Sequence, residues 1–226
     1  MAELRKDWLT GRSVLVAENR ALRPNEFAGE PASAGGNETS TANPSSCPFC
    51  AGNESRTPPA VYEKFDQQGR WQVRVVPNMY PAVTPLAVAA DVPSVVVTET
   101  EALALTAPAI GAHEVIIESA NHLARMSELS KSELRCVLGS YAERLRHWRD
   151  DGRFRYGLVF KNQGPRAGAS IAHLHSQLIA LPFVPAAASA EIGRAHQFFN
   201  QQHGCAYCEL VEREQSAGGR SGIARA

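Results

Sequence analysis

Two short patterns contain the residues best suited to chemistry, Cys47-Pro48-Phe49-Cys50 and His173-Leu174-His175-Ser176-Gln177. Two thiols at this spacing can bind one zinc ion, but two ligands do not complete a tetrahedral site. Histidines are the expected remaining ligands, and His122 and His173 are the candidates. The alternative is a thioredoxin-like redox pair, which requires the cysteines to lie between a strand and a helix. It is disfavoured because a polar loop precedes the cysteines and Gly52-Asn53 follows them.

The second pattern lies in a segment from Ser170 to Ala180 that is predicted to form a strand. Side chains two positions apart point to the same side of a strand, so His173, His175 and Gln177 would line one face. Burying two imidazoles and an amide costs desolvation energy unless a metal or a ligand pairs with them. A binding site is therefore favoured over the alternative of a polar sheet surface facing water. The preceding Gly-rich segment, 162–168, would let a phosphate approach the backbone closely.

A long helix and several strands are predicted to position these residues. Ser130 and Glu133 form a capping box at the start of a helix that runs to about Arg149. Its predicted buried stripe consists of Leu134, Val137, Leu138, Tyr141, Leu145 and Trp148. Strands are predicted at 13–17, 71–76, 113–118 and 154–160, and the chain after Pro185 is predicted to be helical. Strands interspersed with one long helix predict an α+β fold in which a sheet is covered on one face.

Composition excludes several functional classes. The 226 residues are 44% hydrophobic, which is enough for a substantial core. Twenty-three basic residues balance 23 acidic ones, so nucleic-acid binding is not the expected function. The apolar stretch from Pro85 to Ile110 is interrupted by charges and prolines, and no membrane span is expected. Acidic residues at the N-terminus and an odd number of cysteines favour a cytoplasmic protein without a disulfide framework.

Six segments, in a fixed order between about residues 5 and 210, support a family resemblance. They are Leu9-Thr10-Gly11-Arg12, Asn19-Arg20-Ala21-Leu22-Arg23-Pro24, Cys47-Pro48-Phe49-Cys50-Ala51-Gly52-Asn53, Val76-Pro77-Asn78, Glu118-Ser119-Ala120-Asn121-His122 and Gly168-Ala169-Ser170-Ile171-Ala172-His173-Leu174-His175-Ser176-Gln177. Together they resemble the galactose-1-phosphate uridylyltransferase family, the nucleotidyltransferase branch of the histidine-triad superfamily. Gln177 in place of a third histidine is typical of that branch.

The resemblance implies a fold and a division of the chain. The fold would be a histidine-triad-like antiparallel sheet with one long covering helix, as a single copy of a normally duplicated unit. Residues 1–185 would form the N-terminal domain. Residues 186–226 would form the start of the second copy and a tail. A homodimer is compatible with this family.

The resemblance also implies a role for each motif residue. His175 would attack the α-phosphorus of a nucleotide sugar and form a covalent nucleotidyl-histidine, while Gln177 would hold phosphate oxygens. The implied substrate-binding residues are Arg20, Arg23, Asn78, Asn162, Gly168 and Ser170. A structural zinc ion would be bound by Cys47, Cys50, His122 and His173. His113 is the competing zinc ligand, but a core or surface position is favoured for it.

The implied substrates are a nucleotide sugar and a sugar 1-phosphate or inorganic phosphate. The leading expectation is a UDP-glucose:hexose-1-phosphate uridylyltransferase of galactose metabolism. The alternative with the same mechanism is an ADP-glucose phosphorylase. Cys205 and Cys208 favour this alternative, because they resemble the start of a second zinc site in that branch. The histidines that would complete this site are expected beyond Ala226. No iron is expected, since Glu191 stands at an iron-ligand position without its histidine partners.

Two further functional classes remain as alternatives. One is a zinc-stabilised nucleotide-binding fragment without catalysis, which would bind a nucleotide but form no covalent adduct. The other is a histidine-triad hydrolase of dinucleotides, which Gln177 disfavours.

Overall fold

The computed structural model describes residues 2–7, 9–23, 45–85 and 104–216. Its strands are β1 (Glu3–Asp7), β2 (Ser13–Val16), β3 (Tyr62–Phe65), β4 (Trp71–Pro77), β5 (Thr84–Pro85), β6 (Ala104–Pro108), β7 (Ile110–Ile117), β8 (Tyr156–Phe160) and β9 (His175–Leu181). Its α-helices are α1 (Lys131–Asp150), α2 (Ala186–Gln202) and α3 (Ala206–Ser216). The predicted strands and the long helix are thus confirmed in type and approximate position.

The strands form two sheets, and the last strand in sequence of the smaller sheet is followed almost directly by a strand of the larger one. The larger sheet has the order β3-β4-β7-β9-β8 with antiparallel neighbours, and the short β5 pairs in parallel with the start of β7. The smaller sheet has the order β2-β1-β6. Only Ala109 separates β6 from β7, so this segment connects the sheets. Together with the helices, this arrangement confirms the predicted α+β fold with an antiparallel sheet.

Helix α1 packs against the larger sheet over the main hydrophobic core. That core contains Val73, Val75, Ala112, Ile116, Val137, Phe154, Leu178 and Ala180. The predicted capping box is present, because the Ser130 side chain accepts from the Glu133 backbone and the Glu133 side chain accepts from the Ser130 backbone. Local sequence was sufficient to locate this helix start.

The buried face of α1 is more polar than the predicted stripe. Leu138 is 52% exposed, whereas Ser140 and Arg144 are buried. Arg144 donates to both carboxylate oxygens of Glu114 in β7, over 3.0 and 2.5 Å, and Trp148 Nε1 donates to the same carboxylate over 3.0 Å. The prediction that Leu138 is buried is wrong. The face of α1 that packs on the sheet is instead the one that carries Arg144, because Arg144 pairs with the buried carboxylate of Glu114.

The predicted strand from Ser170 to Ala180 begins five residues later than expected. The backbone N–H of Leu174 donates to the carbonyl of Leu123, and the Leu174 carbonyl accepts from Glu118 N–H. Sheet pairing with β7 therefore starts at His175. His173 lies outside the strand, so the predicted common face holds only for His175 and Gln177.

The segment after Pro185 is helical, as predicted. Helices α2 and α3 contact each other, and the hydroxyl of Tyr207 donates to Glu191 over 2.7 Å. The predicted polar loop at 29–46 and the predicted tail at 216–226 lie almost wholly outside the described residues. Among the helices in the described ranges, none has both the length and the apolar character needed to cross a membrane.

Candidate active site and metal centre

Four cysteine and histidine side chains converge beside the start of β9. They are Cys47, Cys50, His122 and His173, and their ligand atoms all lie within 4.8 Å of one another. The Sγ atom of Cys50 is 3.3 Å from His122 Nδ1 and 3.5 Å from His173 Nδ1. The Sγ atom of Cys47 is also 3.5 Å from His173 Nδ1. The predicted ligand set is therefore brought together in space.

These distances fit a tetrahedral metal ion. Zinc bound at about 2.3 Å from sulfur and about 2.0 Å from nitrogen would separate a sulfur and a nitrogen ligand by about 3.5 Å. His173 Nε2 lies 2.9 Å from the carbonyl of Ser119, to which it donates. This hydrogen bond leaves the lone pair on Nδ1, the nitrogen that faces the thiols. The cluster is thus a closed Cys₂His₂ site that could hold a metal ion.

The loop that contains Cys47 and Cys50 also contacts the second histidine of the motif. The ring of Phe49, between the two cysteines, lies 5.2 Å from the ring of His175 and 6.0 Å from that of His173, both in edge-on geometry. Phe49 is buried with the cysteines in a hydrophobic cluster that also includes Val115 and Ile117 of the sheet. The conformation of this loop therefore determines what packs against His175.

His175 has the protonation state of a nucleophile. Its Nδ1 lies 2.6 Å from the carbonyl of His173 and donates to it, which leaves the lone pair on Nε2. Burial lowers the pKa of His175, and this effect exceeds the opposing effect of the hydrogen bond to the His173 carbonyl. Imidazole is nucleophilic when neutral, so this residue is suited to covalent catalysis near neutral pH.

A cavity of about 200 Å³ lies beside His175. Among the predicted site residues, it is lined by Arg20, Arg23, Asn78, Gly168, Ser170, His175 and Gln177. The Arg20 guanidinium donates to the carbonyl of Tyr80 over 3.1 Å, and that of Arg23 donates to the carbonyl of Gly168 over 3.0 Å. Within the described part of the chain, neither arginine forms a salt bridge with a carboxylate. Their charges remain available to an anionic ligand, and arginine suits phosphate oxygens.

Asn162 is the one predicted substrate-binding residue that is not among those lining the cavity. It stands close to the phosphate-loop candidate Gly168, because its Nδ2 is 3.9 Å from the position that a Cβ atom at Gly168 would take. Gly168 has a φ of +81°, a conformation that favours glycine. The roles predicted for these two residues stay predictions.

Sequence reasoning missed a buried polar network behind His175. The fully buried carboxylate of Glu118 accepts from the hydroxyl of Tyr141, from Ser176 Oγ over 2.5 Å and from Lys161 Nζ over 2.5 Å. Lys161 also donates to the carbonyl of His175 over 2.7 Å. Burial and the Glu118 charge raise the pKa of Tyr141, while burial lowers that of Lys161. The available signal was a glutamate directly after the apolar run Val115-Ile116-Ile117 that ends β7.

His113 occupies a core position, which is one of the two positions favoured for it from the sequence. It is buried, and its Nε2 lies 3.0 Å from Gln177 Oε1. It does not belong to the Cys₂His₂ cluster, so the structure does not support it as the competing metal ligand.

Cys205 and Cys208 lie apart from this site. Both are exposed at the start of α3, where hydrogen bonds from Cys208 lower the pKa of Cys205. Within the described ranges, one group of three or more potential metal ligands is present, and it does not include these two cysteines.

The chain resembles known proteins over most of its length. A family model for the N-terminal domain of galactose-1-phosphate uridyl transferase matches residues 1–185. ADP-glucose phosphorylase of Arabidopsis thaliana is 33% identical over 211 residues, which cover 93% of this chain and 57% of that protein. Galactose-1-phosphate uridylyltransferase of Thermotoga maritima is 26% identical over 104 residues, which cover 46% of this chain and 33% of that protein.

Solved structures show the same relationship. A crystal structure of ADP-glucose phosphorylase from Arabidopsis thaliana with bound ADP-glucose has a TM-score of 0.60 and 32% identity, covering 93% of this chain and 58% of the other. A uridylyltransferase mutant has a TM-score of 0.62 and 29% identity, covering 94% and 55%. The chain thus spans little more than half the length of these relatives. On the family-model match and these similarities, the chain belongs to the galactose-1-phosphate uridylyltransferase family.

Proposed function

We propose that this chain transfers a nucleotidyl group from a nucleotide sugar to a phosphate acceptor through a covalent intermediate on His175. The observation that supports this most strongly is the setting of that histidine. Its Nδ1–H is held by the His173 carbonyl, and its ring borders a cavity that Arg20 and Arg23 also line. An attack on the α-phosphorus of a nucleotide sugar requires a neutral nucleophile and positive charge near the phosphate oxygens. A neutral imidazole would be the nucleophile, and the two arginines, which have no carboxylate partners in the described structure, would supply the charge.

The proposed reaction consists of two successive displacements at the same phosphorus atom. In the first, Nε2 of His175 forms a bond to the α-phosphorus, and the bond from phosphorus to the departing sugar 1-phosphate oxygen breaks. The imidazole gains positive charge, which its Nδ1–H shares with the His173 carbonyl. In the second, an oxygen of a phosphate acceptor attacks the same phosphorus and His175 leaves as neutral imidazole. No proton needs to be removed from His175 in either step.

The other site residues support this chemistry through charge and hydrogen bonding. Arg20 and Arg23 would neutralise the phosphates, and the amide of Gln177 would donate to a phosphate oxygen. Asn78 would contact the ribose, and the segment containing Asn162, Gly168 and Ser170 would hold phosphate oxygens. Backbone and side-chain donors in a partly buried cavity are effective because water competes with them less than it does at the surface.

We propose zinc as the ion of the Cys₂His₂ cluster. Two thiolates and two imidazoles form the ligand set typical of structural zinc, and the site has no open position for a substrate. The ion would fix the loop that carries Phe49 against His175. Its proposed role is structural, and catalysis would depend on it through that contact.

Two nucleotide sugars are candidates for the substrate. The similarity to an Arabidopsis ADP-glucose phosphorylase over 93% of the chain favours ADP-glucose as the donor and inorganic phosphate as the acceptor. The UDP-glucose:hexose-1-phosphate type, which was the leading expectation from the sequence, becomes the second candidate. A cytoplasmic location and a homodimer stay predictions, as does the division at residue 185.

A labelling experiment with both nucleotide sugars tests this proposal. The chain is incubated with ADP-glucose or UDP-glucose labelled at the α-phosphorus, denatured at alkaline pH, and assayed for protein-bound label. We expect acid-labile label, more of it from ADP-glucose, and none in His175→Ala. Stronger labelling by UDP-glucose would reverse the choice of substrate. Binding of both nucleotides without labelling would instead support the non-catalytic fragment.

A further inference from the structure

His113 is a buried histidine that the proposed mechanism does not use. It lies in β7, beside β9, with 6% of its surface exposed. Its two ring nitrogens contact different partners: Nδ1 lies 2.9 Å from the backbone nitrogen of Ala82, whereas Nε2 lies 3.0 Å from Gln177 Oε1 and 3.1 Å from Asn78 Nδ2. A polar ring this deeply buried, with a partner at each nitrogen, has a defined orientation.

The backbone of Ala82 determines which nitrogen of His113 carries the proton. An amide N–H can only donate, so His113 Nδ1 must accept and is unprotonated. Burial, together with the charge of Arg20, lowers the pKa of His113 to about 4. The ring is therefore neutral at pH 7, and its single proton is on Nε2, which donates to the oxygen of the Gln177 amide.

The backbone N–H of Tyr80 also indicates that the amide oxygen of Gln177 faces His113. The N–H of Tyr80 donates to Asn78 Oδ1 over 2.8 Å, so the other side of the Asn78 amide is its NH₂ group. That group lies 3.1 Å from His113 Nε2 and 3.4 Å from Gln177 Oε1. Because Nε2 carries a proton it cannot accept from the Asn78 NH₂ group, which therefore donates to the oxygen of Gln177. Since two donors converge on the oxygen of Gln177, its amide nitrogen is the group left for a ligand in the cavity that Gln177 and His175 both line.

We propose that His113 is a positioning residue that fixes the amide of Gln177 with its N–H groups towards the reacting phosphate. This inference rests on the proposed nucleotidyl transfer. A flipped Gln177 amide would place NH₂ against the Nε2–H of His113 and a carbonyl oxygen against phosphate oxygens. Both contacts are repulsive, so the tautomer of His113 selects the orientation in which Gln177 can stabilise charge on the phosphate.

Two substitutions at one position separate positioning from packing. His113→Met removes the donor to Gln177, whereas His113→Gln places an amide NH₂ near the position of Nε2 and keeps that donor. Both lose the acceptor for Ala82 N–H, so both share the structural cost. We expect His113→Met to slow formation of the nucleotidyl adduct about tenfold, equivalent to about 1.4 kcal/mol and to one net hydrogen bond. His113→Gln should stay within about threefold of the unaltered chain at a similar melting temperature.

The decisive comparison is made in a Gln177→Ala background. If His113 acts through Gln177, His113→Met should then change the adduct rate by less than about twofold. An undiminished tenfold effect in that background would overturn the inference, as would equal rates for His113→Met and the unaltered chain.

A measurement on the unliganded chain separates this inference from the proposed function. Long-range ¹H–¹⁵N spectra of histidine-labelled protein should contain, in addition to the signals of His173, those of a neutral histidine protonated on Nε2 that disappear in His113→Gln. Protonation of His113 on Nδ1 would overturn the inference whether or not the adduct forms. A chain that forms no adduct but has the expected tautomer would refute the proposed function alone.

Discussion

Replacing Lys161 with methionine should destabilise the fold by an amount that its contacts allow us to estimate. Lys161 donates to the carboxylate of Glu118 over 2.5 Å and to the carbonyl of His175 over 2.7 Å. The Glu118 side chain is fully buried, whereas 20% of the Lys161 side chain is exposed. The substitution would leave a buried carboxylate with the hydroxyl donors of Tyr141 and Ser176 but without its positive partner.

Removing one partner of a buried ion pair typically costs about 3–5 kcal/mol. Because Lys161 is partly exposed, water can replace some of the lost contact, and we expect a loss near the lower end, about 3 kcal/mol. The double variant Lys161→Met/Glu118→Gln should recover at least half of that loss, since it removes the unpaired charge and keeps an acceptor for the hydroxyl groups. Arg146→Met is the control, because its ion pair with Glu143 is exposed and should be worth less than about 1 kcal/mol.

Urea unfolding of the four proteins, the unaltered chain and the three variants, measures these differences. The unfolding slope should stay the same, so that shifts of the midpoint report stability. A loss below about 1 kcal/mol for Lys161→Met would refute the reasoning, because it would mean that the Glu118 charge is not effectively buried. A double variant that recovers less than half of the loss would refute it as well.

Three further predictions concern the metal, the phosphates and pH. Chelation or Cys50→Ser should remove about one zinc ion per chain by mass spectrometry and partly unfold the protein; a fully folded, fully active metal-free chain would contradict this. Arg23→Ala should weaken nucleotide-sugar binding about tenfold at low salt and less at high salt by calorimetry, whereas an equal loss at every salt concentration would argue against a phosphate contact. Stability should fall as the pH drops from 6.5 towards about 4, because unfolded His113 takes up a proton that the folded state excludes; this slope should be shallower in His113→Gln, and identical slopes would contradict the assignment.

The sequence predicted those parts of the fold whose signals are local. The Ser130 capping box marks the start of α1, and the alternation ending at Pro77 marks β4. Strand β1 was not predicted, because its short charged sequence becomes a strand only by pairing with β2 and β6. Likewise, the burial of Arg144 depends on a carboxylate in β7 that no periodicity within α1 reveals.

The same distinction applies to the site. The four residues of the Cys₂His₂ cluster were predicted because cysteine and histidine in these motifs have few other structural uses, and the structure brings all four together. His173 was wrongly placed in β9, since the strand prediction could not include the contacts that hold Leu174 to the preceding loop. The core position of His113 was among the expectations, but its partners Ala82 and Gln177 could not be predicted, because they are distant from it in sequence.

The most direct test of the central claim is to locate the covalent intermediate. The chain is incubated with ADP-glucose, denatured at alkaline pH and digested, and the peptides are analysed by mass spectrometry. We expect the mass of one nucleotidyl group on the peptide that contains His175, its absence in His175→Ala, and a zinc content that His175→Ala leaves unchanged. A nucleotidyl group on any other residue, or one that persists in His175→Ala, would contradict covalent catalysis by His175.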